Sequence, residues 1–282
     1  MNEEQAASEP SEIQSEQKPE PSALTNSDLP PISDELASEH IQEPTVEYDE
    51  FVDSLVVYDE EEECPYLENQ TARMPLRFPM SEISSVATDI LLESGYRRSG
   101  KFLYRAECPT CQACEAIRLE VSEFHPNRSQ KRALKKGNSV FELEIGPPVG
   151  DQARVDLFNK HRNVRGLNRH GTNVDIQEYK MFLVDSCLET FEITYLLEDK
   201  LAGVAICDRS ENSVSAVYTF FDPDLATYSP GTYSIMKQIE FCQQQDIQYL
   251  YLGYFVAGSK HMNYKQRFKP HQRLQNGMWK TH

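Results

Sequence analysis

What this 282-residue sequence lacks narrows it first. No apolar run approaches the roughly twenty residues that a membrane-spanning helix needs; the longest, Tyr249 to Val256, falls far short. The start has neither the basic residues nor the apolar stretch of a secretory signal. Basic residues are almost missing from residues 1–63, where twenty Asp and Glu face the single Lys18, and no aromatic residue precedes Tyr48. Such a segment buries too little apolar surface to offset its ordering entropy, so residues 1–53 are expected to form a disordered acidic tail. The remainder holds twenty-five acids and twenty-seven Lys and Arg, so the formal charge of −17 belongs to the tail. Seven cysteines, an odd number with four of them grouped, argue against a disulfide scaffold and for a reducing compartment, the cytoplasm. No Ser-His-Asp or Cys-His arrangement for nucleophilic catalysis is evident.

What is present centres on residues 97–114, which run Arg97-Arg98-Ser99-Gly100-Lys101 through Tyr104-Arg105 to Cys108-Pro109-Thr110-Cys111-Gln112-Ala113-Cys114. Two successive Cys-x-x-Cys steps aim several thiolates at one point, as a zinc or iron–sulfur site requires. Cys64, in Cys64-Pro65-Tyr66-Leu67, is the candidate fourth ligand; the plainer alternative is a set of buried thiols. Farther along, Arg128, Lys131, Arg132, Lys135 and Lys136 recur at helical spacing, which places five cations on one face. No acid interleaves them, so a phosphate backbone is the expected partner rather than a merely solvated face.

Element signals place strands over 54–58 and 116–121 and an extended run over 72–78. A helix over 82–93 has Ser81 as its cap and Gly95 as its stop. Further helices are expected over 151–161, 176–186 and 231–245, and strands over 191–198, 201–208, 213–221 and 248–254. Pro147-Pro148 marks a hinge. The expected fold class is α+β: a Cys-rich N-terminal module over 54–146, then a mixed sheet with flanking helices over 147–282. Cys187, Cys207 and Cys242 have no ligand spacing and read as core thiols.

The order of antiparallel strands, a Ser229-Pro230-Gly231 loop, a helix and another strand resembles the core of a GNAT-type acyltransferase. There, backbone N–H groups at the helix start cradle donor phosphates, a role that would fall to Gly231. The further glycines of the acyl-CoA signature are absent, which favours the 3′ end of an aminoacyl-tRNA over CoA as donor. The resemblance then becomes specific. Cys64-Pro65-Tyr66-Leu67, the run Tyr96 to Cys114 and Arg128-Ser129-Gln130-Lys131-Arg132 resemble the N-terminal half of aminoacyl-tRNA–protein transferases. Tyr218 to Pro223, Tyr251-Leu252-Gly253-Tyr254 and Met262-Asn263-Tyr264-Lys265-Gln266-Arg267-Phe268 resemble their C-terminal half. The bacterial aspartate/glutamate leucyltransferases are the most similar branch.

The resemblance implies transfer of leucine from leucyl-tRNA to the α-amine of proteins beginning with Asp or Glu, which marks them for N-degron proteolysis. Arginyl transfer to the same acceptors is the alternative, and an acyl-CoA N-acetyltransferase or a non-catalytic metal and RNA binder are remoter ones. No cofactor is required for the chemistry. Arg97, Arg98, Arg73 and Arg77 are candidates to read the acceptor carboxylate, with the Ser99-Gly100 turn favouring the first two. Arg128, Lys131, Arg132, Lys135 and Lys136 would bind tRNA. Tyr264 and Lys265 are the catalytic candidates, and Cys64, Cys108, Cys111 and Cys114 the metal ligands. Among the aromatics around Gly231, Asp222 and Asp224 are the only nearby acids, so the donor pocket reads as apolar and suited to leucine.

Overall fold

The computed structural model describes residues 46–48, 52–168 and 171–282. The tail expected over 1–53 lies outside them, except at its end, where strand β1 (Val46–Tyr48) pairs antiparallel with β2 (Asp53–Tyr58). Short strands β3 (Glu61–Glu63) and β4 (Thr71–Arg73) pair with each other, and β5 (Leu76–Pro79) follows. Helix α1 spans Ser85–Glu93, and its cap is Ser84, whose side chain accepts from the Ala87 N–H, rather than Ser81. Strands β6 (Arg97–Ser99) and β7 (Phe102–Tyr104) complete a five-stranded sheet in the order β1-β2-β5-β7-β6.

The turn between β6 and β7 shows why glycine stands at position 100. Its φ of +58° lies in the left-handed region, and a Cβ there would sit 2.2 Å from the Met181 carbonyl oxygen. The Gly100 N–H donates to the Phe182 carbonyl, so this hairpin docks on the chain more than eighty residues downstream.

The remaining elements are β8 (Glu115–Glu120), α2 (Arg128–Asn138), β9 (Glu142–Gly146), α3 (Gln152–Val164), α4 (Ile176–Tyr179), β10 (Thr190–Leu197), β11 (Lys200–Arg209), β12 (Ser213–Phe221), α5 (Pro230–Gln244), β13 (Tyr249–Phe255), β14 (Gln272–Gln275) and β15 (Met278–Thr281). After α4 the expected helix widens into a π-helical turn over Lys180–Val184. The eight strands from β8 onward form one sheet, ordered β15-β14-β8-β13-β12-β11-β10-β9. The architecture is thus α+β with a large mixed sheet. Because β8 and β9 belong to that sheet, the division expected after residue 146 falls between its strands and not at a break in it.

Alternation along β11 builds both faces. Ala205 and Cys207 join the cluster with Ile235, Met236, Ile239 and Cys242 of α5, while Val204 and Ile206 join the one with Val155 and Phe158 of α3. Each large aliphatic chain so buried contributes about 1.5–3 kcal/mol of transfer free energy. Cys207 and Cys242 are buried core thiols and Cys187 is half-buried. Among the described residues no helix is long and apolar enough to cross a membrane.

Candidate active site

The sheet has one parallel pairing, β12 with β13, formed across the crossover through α5. It holds for three positions only, Ser213 to Tyr249, Val214 to Leu250 and Ser215 to Tyr251. Beyond them β12 continues to Phe221 and β13 to Phe255 without a shared ladder. An irregularity in the β11–β12 register after Cys207/Ala216 leaves Val217 unmatched at the point where the strands part. Residues 216–219 are half-buried although their neighbours on β11 are fully buried. The two strands therefore part toward Phe221 and Phe255, which leaves an opening between their ladders in the middle of the sheet. Crevices at the carboxyl ends of diverging parallel strands are common ligand positions.

The start of α5 borders this opening. Its N-cap, Ser229, sits in the left-handed conformation and makes no side-chain cap, and Pro230 has no N–H to satisfy. The first turn therefore keeps donors free for an electronegative ligand. Gly231 lies against the Phe221 ring: a Cβ there would come within 3.3 Å of its Cε1. The Arg165 guanidinium stands 5.8 Å from the same ring, and its charge also acts on Tyr264, whose hydroxyl is pushed up by burial. Tyr264 nevertheless stays 40% exposed. Gly231 thus lies against the Phe221 ring, beside which Arg165 stands, and Tyr264 is within reach of the Arg165 charge.

The five cations of α2 lie exposed, as their spacing predicts. Asn127 and Gln130 form a reciprocal capping box, and Gly137 lets α2 approach α5 closely, since a Cβ would meet the Tyr233 ring at 2.2 Å. Lys136 turns toward the α5 start, donating to the Thr227 carbonyl at 2.7 Å and lying 5.0 Å over the Tyr228 ring. At the other end Gln130 donates to the carbonyl of Arg267, in the turn that carries Tyr264 and Lys265. Among the described residues Arg128, Lys131, Arg132 and Lys135 form no ion pair. Helix α2 thus touches both the approach to α5 and the turn of Tyr264 and Lys265.

Lys265 is buried, and its ammonium donates to the Tyr254 carbonyl at 2.6 Å. Burial, and then the charge of Arg97, bring its pKa down to about 7, against a smaller opposing effect of Cys114. A lysine so poised exchanges a proton near neutrality. Arg97 is sealed between the rings of Tyr251 and Tyr254, 5.5 Å from each, and donates to the carbonyls of Tyr96 and Gly253. Burial lowers its pKa as well. Arg97 therefore faces the interior beside Lys265, not solvent.

Arg98 is a correction to the expectation. Its side chain is fully buried and its Nε donates to both carboxylate oxygens of Asp208, at 2.9 and 3.0 Å. Its charge is already used to join the two sheets, so it cannot read an acceptor carboxylate. Arg73 and Arg77 lie instead around Glu107, at 3.4 and 3.2 Å, and Arg73 also pairs with Asp59 at 2.5 Å. A third arginine, Arg105, joins Glu107 at 3.2 Å. Sequence reasoning missed Arg105, Glu107 and Asp208. Tyr104-Arg105-Ala106-Glu107, immediately before the cysteines, was the available signal for the first two.

The four cysteines gather: burial, then Cys108, Cys64 and Cys111 in turn, push the Cys114 thiol up to about 12. Soft thiolates suit zinc or an iron–sulfur cluster. In the conformation described, however, no three His, Cys, Asp or Glu side chains among the described residues are placed to hold an ion. No catalytic step is assigned to a metal.

Residues 62–132 match the family described as "Arginine-tRNA-protein transferase, N terminus", and residues 153–275 match its "C terminus" counterpart. The chain is 37% identical over 218 residues to the aspartate/glutamate leucyltransferase of Acinetobacter baumannii, covering 77% of this chain and 80% of that one. With the enzyme of the same name from Thiobacillus denitrificans it shares 36% identity over 223 residues, 78% of this chain and 91% of that one. Among solved structures, L-PGS from Bacillus licheniformis is similar at a TM-score of 0.38 and 10% identity, covering 62% of this chain and 51% of that one.

Proposed function

The chain belongs to the arginine-tRNA-protein transferase family, and within it we propose that this enzyme transfers leucine from leucyl-tRNA to the N-terminal α-amine of proteins that begin with Asp or Glu. The observation that carries this reading is the likeness to aspartate/glutamate leucyltransferases across 218 residues, both family halves present and in order. In the reaction the acceptor amine attacks the aminoacyl ester carbon. The amide C–N bond forms, the ester C–O bond breaks, and the amine's proton ends on the released ribose hydroxyl of the tRNA.

The donor is already activated, so the protein has to position it, keep the amine neutral and stabilise the tetrahedral oxyanion. The GNAT-like arrangement supports a donor 3′ end in the opening between β12 and β13, with the uncapped start of α5 at Gly231 beside it and the α2 cations along the tRNA backbone. Lys265, with a pKa near 7, suits the removal of the amine proton, and Tyr264 lies next to it in sequence. Leucine rather than arginine is favoured by the state of the nearby acids. Asp222 and Asp224 both bind the Lys160 ammonium, at 2.6 and 2.7 Å, and so have a cation already. Product turnover as an N-degron, and a cytoplasmic setting, follow from the same reading, as does a zinc ion or iron–sulfur cluster on Cys64, Cys108, Cys111 and Cys114 once their side chains converge.

The test supplies purified protein with labelled leucyl-tRNA and peptides starting with Asp, Glu or Ala. Label should pass to the Asp and Glu peptides only, and RNase pretreatment should abolish it. Equal labelling of the Ala peptide, or transfer that survives RNase, overturns the reading.

A further inference from the structure

Several arginines of the folded chain meet a carboxylate: Arg98 meets Asp208, Arg154 meets Glu192 and Arg273 meets Glu115. Arg162, in the last turn of α3, does not. It is half-buried, forms no ion pair among the described residues, and its Nη1 is buried without a hydrogen-bond partner. We propose that Arg162, together with the Tyr218 hydroxyl, reads the side-chain carboxylate of the acceptor's first residue, an inference that rests on the transfer reaction above.

The Arg162 guanidinium carbon lies 5.2 Å from the centre of the Phe158 ring, and Tyr218 packs on the same ring with centroids 5.3 Å apart. Phe182 adjoins Tyr218 as well, at 5.8 Å. The cation and the phenol are therefore neighbours on one aromatic cluster, near enough that the Arg162 charge counters the upward push of burial on the Tyr218 hydroxyl. That hydroxyl makes no hydrogen bond among the described residues. The nearest acids beyond Tyr218 along the chain, Asp222 and Asp224, both bind Lys160. Arg162 and Tyr218 can both donate and neither has an acceptor, and a buried donor left unmet is costly, so an anion that enters beside them is favoured. A half-buried place against rings suits a carboxylate on a short side chain. The exposed cations, Arg165 and the α2 face, suit the phosphates of a nucleic-acid backbone.

Tyr218 stands three residues past Ser215, the last position at which β12 pairs with β13. Lys265 meets β13 in the matching stretch, past Tyr251. Its ammonium donates to the Tyr254 carbonyl and lies 3.5 Å from where a Cβ would stand on Gly253, which has a φ of +78°. The two groups also belong to one face of the sheet. Tyr218 is the register partner of Ile206, and Asp208, two residues on, heads a row that runs through Ser215 to Tyr251, against which Arg97 lies. Arg97 is the charge that acts on Lys265. The carboxylate reader and the lysine suited to take the amine proton therefore stand on the two strands that border the opening. An acceptor whose first residue enters there presents its side chain to β12 and its amine to β13.

The experiment compares Asp-starting with Asn-starting peptides, near-isosteres that differ in charge, at saturating leucyl-tRNA. Arg162→Gln should reduce the ratio of kcat/KM for Asp over Asn by about tenfold to hundredfold, and Arg162→Lys should restore part of it. Tyr218→Phe keeps the ring against Phe158 and Phe182 and removes only the hydroxyl, so it tests the site even if Arg162→Gln folds poorly. It should lower the same ratio by about threefold to tenfold. An Arg162 that only packs against its neighbours, or that binds a tRNA phosphate, would lower activity toward both peptides alike, and that pattern overturns the site. Wild-type activity with a ratio unchanged in both variants also overturns it and leaves the reaction standing. A wild-type protein that transfers leucine to neither Asp nor Glu peptides removes the reaction and the site together.

Discussion

Removing Arg98 should cost stability and not acceptor recognition. The Arg98–Asp208 pair is 0% and 1% exposed at its two side chains, and it links β6 to β11 across 110 positions. Asp208 has one further side-chain donor, the Thr190 hydroxyl at 2.7 Å. In Arg98→Met a buried carboxylate keeps that single neutral partner and loses its countercharge, a change that typically costs about 3–5 kcal/mol. That is a large share of the roughly 5–15 kcal/mol by which domains are stable. Urea unfolding followed by circular dichroism measures it as a lower midpoint at an unchanged slope. Asp208→Leu alone should be similarly costly, whereas the double variant should recover at least about 1 kcal/mol, because neither charge is then stranded. Under conditions where Arg98→Met remains folded, its KM for an Asp-starting peptide should match the wild type. A loss below about 1 kcal/mol, or a folded variant with a selectively raised KM, would refute the reasoning.

Three further outcomes follow. Reversing Lys131, Arg132 and Lys135 to Glu should weaken tRNA binding and flatten its log–log salt slope by about 2–3, as fewer counterions are released; an unchanged slope returns the α2 face to solvent. Lys265 has a folded pKa of about 7 against an ordinary 10.5, so the unfolded chain binds the extra proton between those values and stability rises with pH across that window. Lys265→Met should therefore gain stability relative to wild type most at about pH 6 and least at about pH 10, and a pH-independent difference between their urea midpoints would count against a depressed lysine. Anaerobically purified protein should carry zinc or iron by elemental analysis and lose it in Cys111→Ser; fully active metal-free protein would end the proposal of a metal site.

Much of the fold was legible because it rests on local rules. The i, i+3, i+4 spacing of cations announced the exposed face of α2, and Ile235, Met236, Ile239 and Cys242 announced the buried face of α5. Ser99-Gly100 announced a turn, although not that Met181 is what forbids a side chain there. Strands β14 and β15 escaped notice because four-residue strands with polar residues have no pattern strong enough to read. At the site, residue types were legible and partners were not. Arg98 looked like a free cation in a loop because Asp208, which neutralises it, lies 110 positions away. Lys265 stood in a recognisable motif, yet its lowered pKa depends on Arg97 and on burial by β13, neither visible from its neighbours. The opening between β12 and β13 is a property of register, since three paired positions followed by divergence leave no mark on composition.

The most direct measurement of the central claim is a competition: leucyl-tRNA and arginyl-tRNA, in equal amounts, are offered together with a Glu-starting peptide, and the product is weighed by mass spectrometry. A peptide heavier by one leucine residue is the predicted result. A product heavier by one arginine residue would contradict the assignment of the donor, and an unmodified peptide would contradict the reaction.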